Sequence, residues 1–261
     1  MNELLKRAFF GLIYVTLVIV ALQNEQAKSL LLLIFLIFSL KEFSELIKIH
    51  FNSVFFPTLT IFTGFYLYSN YGSFDVLQII IGFVLITIYI LLIYFIFDKF
   101  SLDTLGRLML SLVYIAIPFA LAQLIEKKLL LTVFIIIWTS DTFAYLTGKY
   151  FGKHKLAEKI SPKKTIEGFV GGLTGSLIMA YVLFIFFKFE DDSTTMLKFM
   201  GLSIIIVIFG TLGDLLESRF KRLAGVKDSG NIMPGHGGML DRLDSFILAI
   251  PFVWAYILII L

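Results

Sequence analysis

Charged residues interrupt this chain at long intervals, and between them run nine uncharged, apolar stretches: 8–22, 29–40, 51–71, 76–97, 108–125, 129–140, 168–187, 199–213 and 245–261. A hydrocarbon core about 30 Å thick takes about 20 apolar residues of helix, and fewer where flanking side chains snorkel to the interface. The pattern therefore predicts an all-α polytopic membrane protein with about nine transmembrane helices. The second stretch is short and continues as an amphipathic segment over 41–48. It reads either as a tilted span or as an interfacial helix, and whether 29–48 fully crosses stays open. Pro57, Pro118 and Pro251 fall inside predicted spans, where neighbouring helices can satisfy the freed backbone groups. Lys6 and Arg7 ahead of the first stretch resemble the start of a signal peptide. Leu22-Gln23-Asn24-Glu25 offers no small-residue cleavage site, so that stretch is expected to remain as the first helix.

Composition agrees with lipid as the main solvent. Of 261 residues, 59% are hydrophobic and 16% charged, where a soluble domain carries roughly 25% charge. This excludes a secreted or cytosolic globular protein. A net charge of +3, with no nucleic-acid motif, leaves no reason to expect DNA or RNA as a partner. The absence of cysteine removes disulfides, thiolate metal sites and cysteine nucleophiles together.

The distribution of basic residues orients the chain. With nine spans, one set of connecting segments holds 17 of the 22 Lys and Arg and the other set holds 5. Lys and Arg concentrate in cytoplasmic loops, so the N-terminus is expected in the cytoplasm and the C-terminus on the opposite side. The chain also divides by composition. Residues 1–130 read as a transmembrane scaffold of about five helices, rich in Leu, Ile and Phe. Residues 131–261 hold 14 of the 19 glycines from Gly148 onward, with two polar cytoplasmic loops, 149–167 and 217–244. This second region is where catalysis is expected.

Two carboxylates border these loops at membrane depth. Asp141 ends an apolar run, and Asp214 follows Phe209-Gly210-Thr211-Leu212-Gly213. A charge there costs a few kcal/mol and usually faces a polar cavity with a partner, although a helix-end carboxylate can also sit among lipid headgroups. Lys149, Lys153, Lys155, Lys159, Lys163 and Lys164 surround Ser161-Pro162 and Thr165, ahead of Gly168 and Gly171-Gly172. Lysines, hydroxyls and bare amides near a helix start suit phosphate, yet positive-inside placement alone also puts lysines in such a loop. The segment from Ser218 to Asp244 is more specific. Arg219, Lys221, Arg222 and Lys227 precede Asp228, then come Pro234-Gly235-His236-Gly237-Gly238 and Asp241-Arg242-Leu243-Asp244. Asp241 and Asp244 share a helical face at i, i+3. Carboxylates without a His or Cys cluster suit a hard cation such as Mg²⁺, which bridges phosphate oxygens. The glycines beside His236 allow close backbone approach to a ligand. These residues together predict a cytoplasm-facing, Mg²⁺-dependent site for a polyphosphate at the lipid interface.

Three blocks resemble the phosphatidate cytidylyltransferase (CDP-diacylglycerol synthase) family. They are Trp138-Thr139-Ser140-Asp141-Thr142 through Gly148, Ile160-Ser161-Pro162-Lys163-Lys164-Thr165 with Glu167-Gly168, and the run from Ser218 to Asp244. The resemblance implies the reaction CTP + phosphatidic acid → CDP-diacylglycerol + pyrophosphate, with CTP, phosphatidic acid and membrane lipids as partners; the basic residues beside anionic headgroups suit a bacterial inner membrane. It implies a metal centre, Mg²⁺ with a second cation left open, held by Asp214 and Asp241 and completed by Asp141, Glu167 and Asp244. Lys221, Arg222, Lys227 and Arg242 are then expected to bind phosphate, and Lys163 and Lys164 to meet the CTP triphosphate or the lipid phosphate. Ser161, Thr165, Ser218, Gly237 and Gly238 complete the expected substrate contacts. His236 either touches the nucleotide or orders the glycine turn, and Asp228 holds a basic neighbour. The alternatives are CTP-dependent transfer to another lipid acceptor, as in a polyprenol or dolichol kinase, and an ion-coupled transporter. A homodimer through the aromatic N-terminal helices stays open.

Overall fold

The computed structural model describes residues 3–72, 89, 101–187, 195–233 and 237–261. Eight helices carry the chain: α1 Glu3–Ala21, α2 Glu25–Leu46, α3 Phe51–Tyr71, α4 Leu102–Leu124, α5 Lys127–Phe151, α6 Ile166–Phe187, α7 Met196–Ala224 and α8 Leu240–Ile260. Each covers one of the expected apolar stretches. The ninth stretch, 76–97, lies outside the described residues. Among the described residues five helices, α4 to α8, are long and apolar enough to cross a membrane. Helix α1 has only Phe9–Ala21 as an apolar run. Helix α2 is unbroken from Glu25 to Leu46, joining the short apolar stretch to its amphipathic continuation.

The structure departs from the sequence reading in the polar segments. The 149–167 segment, expected as a loop, is the end of α5, an antiparallel hairpin of β1 Lys155–Ala157 and β2 Ser161–Thr165, and the start of α6. The 217–244 segment is helical through Ala224 and again from Leu240. Helix α7 has 29 residues, which at about 1.5 Å per residue span about 44 Å. That exceeds a hydrocarbon core of about 30 Å by about 14 Å, roughly two and a half turns, enough to carry the basic end at Arg219, Lys221 and Arg222 past the apolar layer.

Local chemistry sets the helix ends. Asn24 accepts from the amides of Gln26 and Ala27 at the start of α2, and Ser101 accepts from Thr104 at the start of α4. Thr165 accepts from Gly168 across the first turn of α6. Hydroxyl and amide oxygens at these positions satisfy amides that the helix itself leaves unpaired. Gly225, at φ 76°, closes α7 in the left-handed conformation that glycine adopts without a Cβ clash. Pro118 in α4 removes one amide, and the turn just before it, Leu112–Ala116, relaxes to π-helix.

Close helix approach depends on small residues. A Cβ on Gly171 would meet Thr147, one on Gly172 the carbonyl of Ser140, and one on Gly175 the ring of Phe143. This glycine face of α6 lets α5 pack against it at backbone distance, as small residues do between helices in lipid. Gly213 does the same for α7, lying against the carbonyl of Asp244 on α8. An aromatic trio, Phe43 of α2, Tyr114 of α4 and Phe220 of α7, meets at centroid distances of 5.0 to 5.4 Å. At the opposite end of α2 the Lys28 ammonium is 2% exposed and donates to the carbonyls of Gln123 and Ile125 while pairing with Glu25 at 2.6 Å. The positive charge thus closes the C-terminal end of α4.

Candidate active site

Helix α7 carries a polar stripe inside an otherwise apolar helix. Asp214, Glu217, Ser218 and Lys221 recur at i, i+3, i+4 and i+7, which places all four on one face. Facing this stripe are β2 of the hairpin, the middle of α5 and the first turn of α8.

The outer part of the site is a cavity of about 360 Å³ between α5, the hairpin, α6 and α7. Asp141, Tyr145 and Lys149 line it from α5, Lys163, Lys164 and Thr165 from β2, and Thr211 and Asp214 from α7. Lys164 is 2.6 Å from the Asp214 carboxylate, which also accepts from the Ser218 hydroxyl at 3.2 Å. Asp141 is open to the cavity, close enough to Asp214, Lys164 and Arg242 to interact with their charges. Asp244 of α8, half-buried, faces Asp214, Glu217 and Asp141 in the same way. Acidic oxygens and lysine ammonium groups therefore share one concave surface, which is what a polyphosphate and a hard cation need together.

The inner part is an ion-pair cluster. The Lys221 ammonium lies 2.5 Å from Glu217, which is fully buried, and 2.6 Å from Asp241. The second oxygen of Asp241 accepts from the Ser229 amide at 2.9 Å, the Ser229 hydroxyl at 3.0 Å and the Gly238 amide at 2.7 Å. Both oxygens of Asp241 are thus engaged by protein donors. Gly237 has φ 87°, and a Cβ there would come 2.7 Å from Asp241; both facts require glycine.

The structure brings together Asp141, Lys163, Lys164, Thr165, Asp214 and Ser218 at the cavity, and Lys221, Asp241 and Gly238 beside it. Other predicted residues have different surroundings. Glu167 accepts from the amides of Lys153 and His154 and lies 2.6 Å from the His154 ring, so it ties the hairpin to α6. Arg222 is exposed and donates to the Val226 carbonyl, closing the end of α7. Lys227 and Asp228 are exposed on the connection between α7 and α8, and Ser161 pairs with Ala157 in the hairpin. Arg242 is exposed one residue past Asp241. His236 lies outside the described residues. Among the described residues no three His, Asp or Glu side chains form a metal-binding group.

One acidic residue that sequence reasoning passed over joins the site. Glu42 of α2 is 3% exposed. It accepts from the Ser229 hydroxyl at 2.9 Å, the Met239 amide at 3.0 Å and the Leu240 amide at 2.8 Å. Its only signal in the sequence is a carboxylate at the end of an apolar run, a pattern shared with any headgroup-facing residue.

Residues 5–260 match the profile of the cytidylyltransferase family. A phosphatidate cytidylyltransferase of Staphylococcus aureus is 46% identical over 157 residues, covering 59% of this chain and 59% of the relative. Proteins of the same name from Staphylococcus saprophyticus and Staphylococcus epidermidis are 45% and 42% identical over the same share of each chain. The aligned stretch therefore spans about three fifths of the length of these relatives.

Proposed function

Since this chain belongs to the cytidylyltransferase family, we propose that it transfers the cytidylyl group of CTP to phosphatidic acid, yielding CDP-diacylglycerol and pyrophosphate. A phosphatidate oxygen attacks the α-phosphorus of CTP, the new P–O–P bond forms, and the bond to the β-phosphate breaks with pyrophosphate leaving. The attacking phosphate is already anionic at neutral pH, so no protein base has to remove a proton. Such a transfer depends on positioning and on neutralising charge.

The observation that carries this reading is the cavity that Lys149, Lys163 and Lys164 line together with Asp141 and Asp214. Lys163 and Lys164 bind the triphosphate and hold the leaving pyrophosphate by charge-assisted hydrogen bonds. Lys221, set by Glu217 and Asp241, presents a further cation from α7. Asp141 and Asp214, which line the cavity, are oxygen donors of the kind Mg²⁺ takes; with no third carboxylate grouped with them among the described residues, they would hold the ion with water and substrate phosphate oxygens completing its shell. When bound, the ion withdraws charge from the phosphates it touches. Asp241, whose oxygens are taken by Lys221, Ser229 and Gly238, orients Lys221 on this reading.

The proposed topology has nine spans, a cytoplasmic N-terminus and a C-terminus on the opposite side. Contacts between helix ends support it. Arg107 at the start of α4 donates to the Ile47 carbonyl at the end of α2, Glu42 meets the start of α8, and Lys164 meets α7. These polar connections gather at one end of the bundle, and they belong to the set holding 17 of the 22 basic residues. That end faces the cytoplasm of a bacterial inner membrane by the positive-inside rule, with CTP entering from water and phosphatidate from the leaflet. The test is phosphatidate-dependent pyrophosphate release from CTP by the purified protein in detergent micelles. Release in step with lipid product supports the reading, and release without phosphatidate, or none, overturns it.

A further inference from the structure

We propose that Glu42, in the N-terminal half of the chain, is a positioning residue of the active site: it fixes Ser229, Gly238 and the first turn of α8 so that Asp241 holds Lys221. This rests on the reading that Lys221 serves CTP.

The carboxylate is 3% exposed, and a buried charge persists only where donors replace water. All three of its donors come from a segment some 190 residues later in the chain: the Ser229 hydroxyl and the Met239 and Leu240 amides. Helix α8 needs this partner. Met239 at its N-cap makes no side-chain capping bond, so the leading amides would otherwise be unpaired. A negative charge at that end also complements the helix dipole. Two glycines fit the arrangement, since a Cβ on Gly230 or Gly238 would run into the Glu42 carboxyl group.

The link to the site runs through one hydroxyl. The single Ser229 hydroxyl proton is shared between Glu42 at 2.9 Å and Asp241 at 3.0 Å, the Ser229 amide also donates to Asp241, and Asp241 lies 2.6 Å from Lys221. Glu42, Ser229, Asp241 and Lys221 thus form a continuous chain from α2 to α7. Phe43, the next residue, packs against Tyr114 and Phe220, and Phe220 precedes Lys221. The same turn of α2 is therefore anchored to the turn of α7 that carries Lys221.

The test compares wild type, Glu42→Gln and Ser229→Ala as full-length protein in detergent micelles, measuring kcat and the KM for CTP alongside CTP-dependent thermal stabilisation. Gln keeps the volume but turns an NH₂ group toward amide donors. A smaller folded fraction lowers the apparent kcat and leaves KM unchanged, so KM separates positioning from mere support of the fold. The expected result is a rise of at least about fivefold in the CTP KM for Glu42→Gln and a smaller rise for Ser229→Ala. If Glu42→Gln does not fold, Ser229→Ala decides alone. Unchanged KM in the folded variants overturns the proposal. If wild type binds CTP without transferring it, the proposed reaction falls, and the positioning role stands or falls on whether the variants weaken that binding by the same factor.

Discussion

The Lys164 ammonium on β2 lies 2.6 Å from the Asp214 carboxylate on α7, and this pair joins the hairpin to the polar stripe of a long apolar helix. Both side chains line the cavity, so on the proposed reading phosphate binding by Lys164 and the charge at Asp214 are set by the same contact. The two residues stand 50 positions apart in the sequence, and the glycine face of α6 against α5 places β2 where the contact can form.

Lys164→Ala and Asp214→Asn should each lower kcat/KM by about a hundredfold or more, equivalent to about 2.7 kcal/mol of transition-state stabilisation. Both side chains are partly exposed, so the variants should keep wild-type elution on size exclusion. Steady-state kinetics with CTP varied check this, and near-wild-type rates in both would remove the cavity from the mechanism.

Chelation should abolish transfer and added Mg²⁺ should restore it, because Asp141, Asp214 and Asp244 crowd negative charge that a divalent cation offsets. Rate against free Mg²⁺ after EDTA treatment is the measurement. Full activity in EDTA would show that the lysines suffice.

Gly237→Ala should lose most activity with a modest fall in stability. The left-handed backbone at φ 87° costs a non-glycine residue about 1–2 kcal/mol, and the added methyl group meets Asp241. Thermal unfolding in detergent together with initial rates separates the two effects.

Lys28→Met should do the reverse. It removes a buried ammonium from the carbonyls of Gln123 and Ile125 at the end of the bundle away from the cavity. The Gln123 carbonyl keeps the Ser69 hydroxyl, while the Ile125 carbonyl loses its lysine donor at a cost of about 1–3 kcal/mol, so the thermal midpoint should fall while kcat per folded molecule stays near wild type.

The apolar stretches were readable because lipid imposes one requirement on every helix that meets it, and each described stretch is helical where the sequence places it. The cavity-lining residues Asp141, Lys163, Lys164, Thr165 and Asp214 could be singled out in the sequence because lysines, carboxylates and glycines stand there at close spacing. The hairpin was not, since Ser161-Pro162-Lys163-Lys164-Thr165 lacks the apolar alternation of a strand and forms one only against β1. Helix α7 was ended too early, at the charged run from Glu217 to Arg222, although Glu217 and Lys221 already stand at the i, i+4 spacing of a helical ion pair. Glu42 and Lys28 were invisible for another reason. Their partners lie about 190 and 95 residues away, and nothing local distinguishes a buried charge from one facing headgroups.

The central claim, cytidylyl transfer to a lipid phosphate, is tested most directly by supplying the purified protein with phosphatidic acid and CTP labelled either in the cytidine ring or at the γ-phosphate. The account predicts that the ring label enters chloroform-extractable lipid only when phosphatidic acid is present, while the γ label leaves in pyrophosphate. Transfer of the γ label to lipid would make the protein a kinase and contradict the account, and so would the absence of the ring label from the lipid.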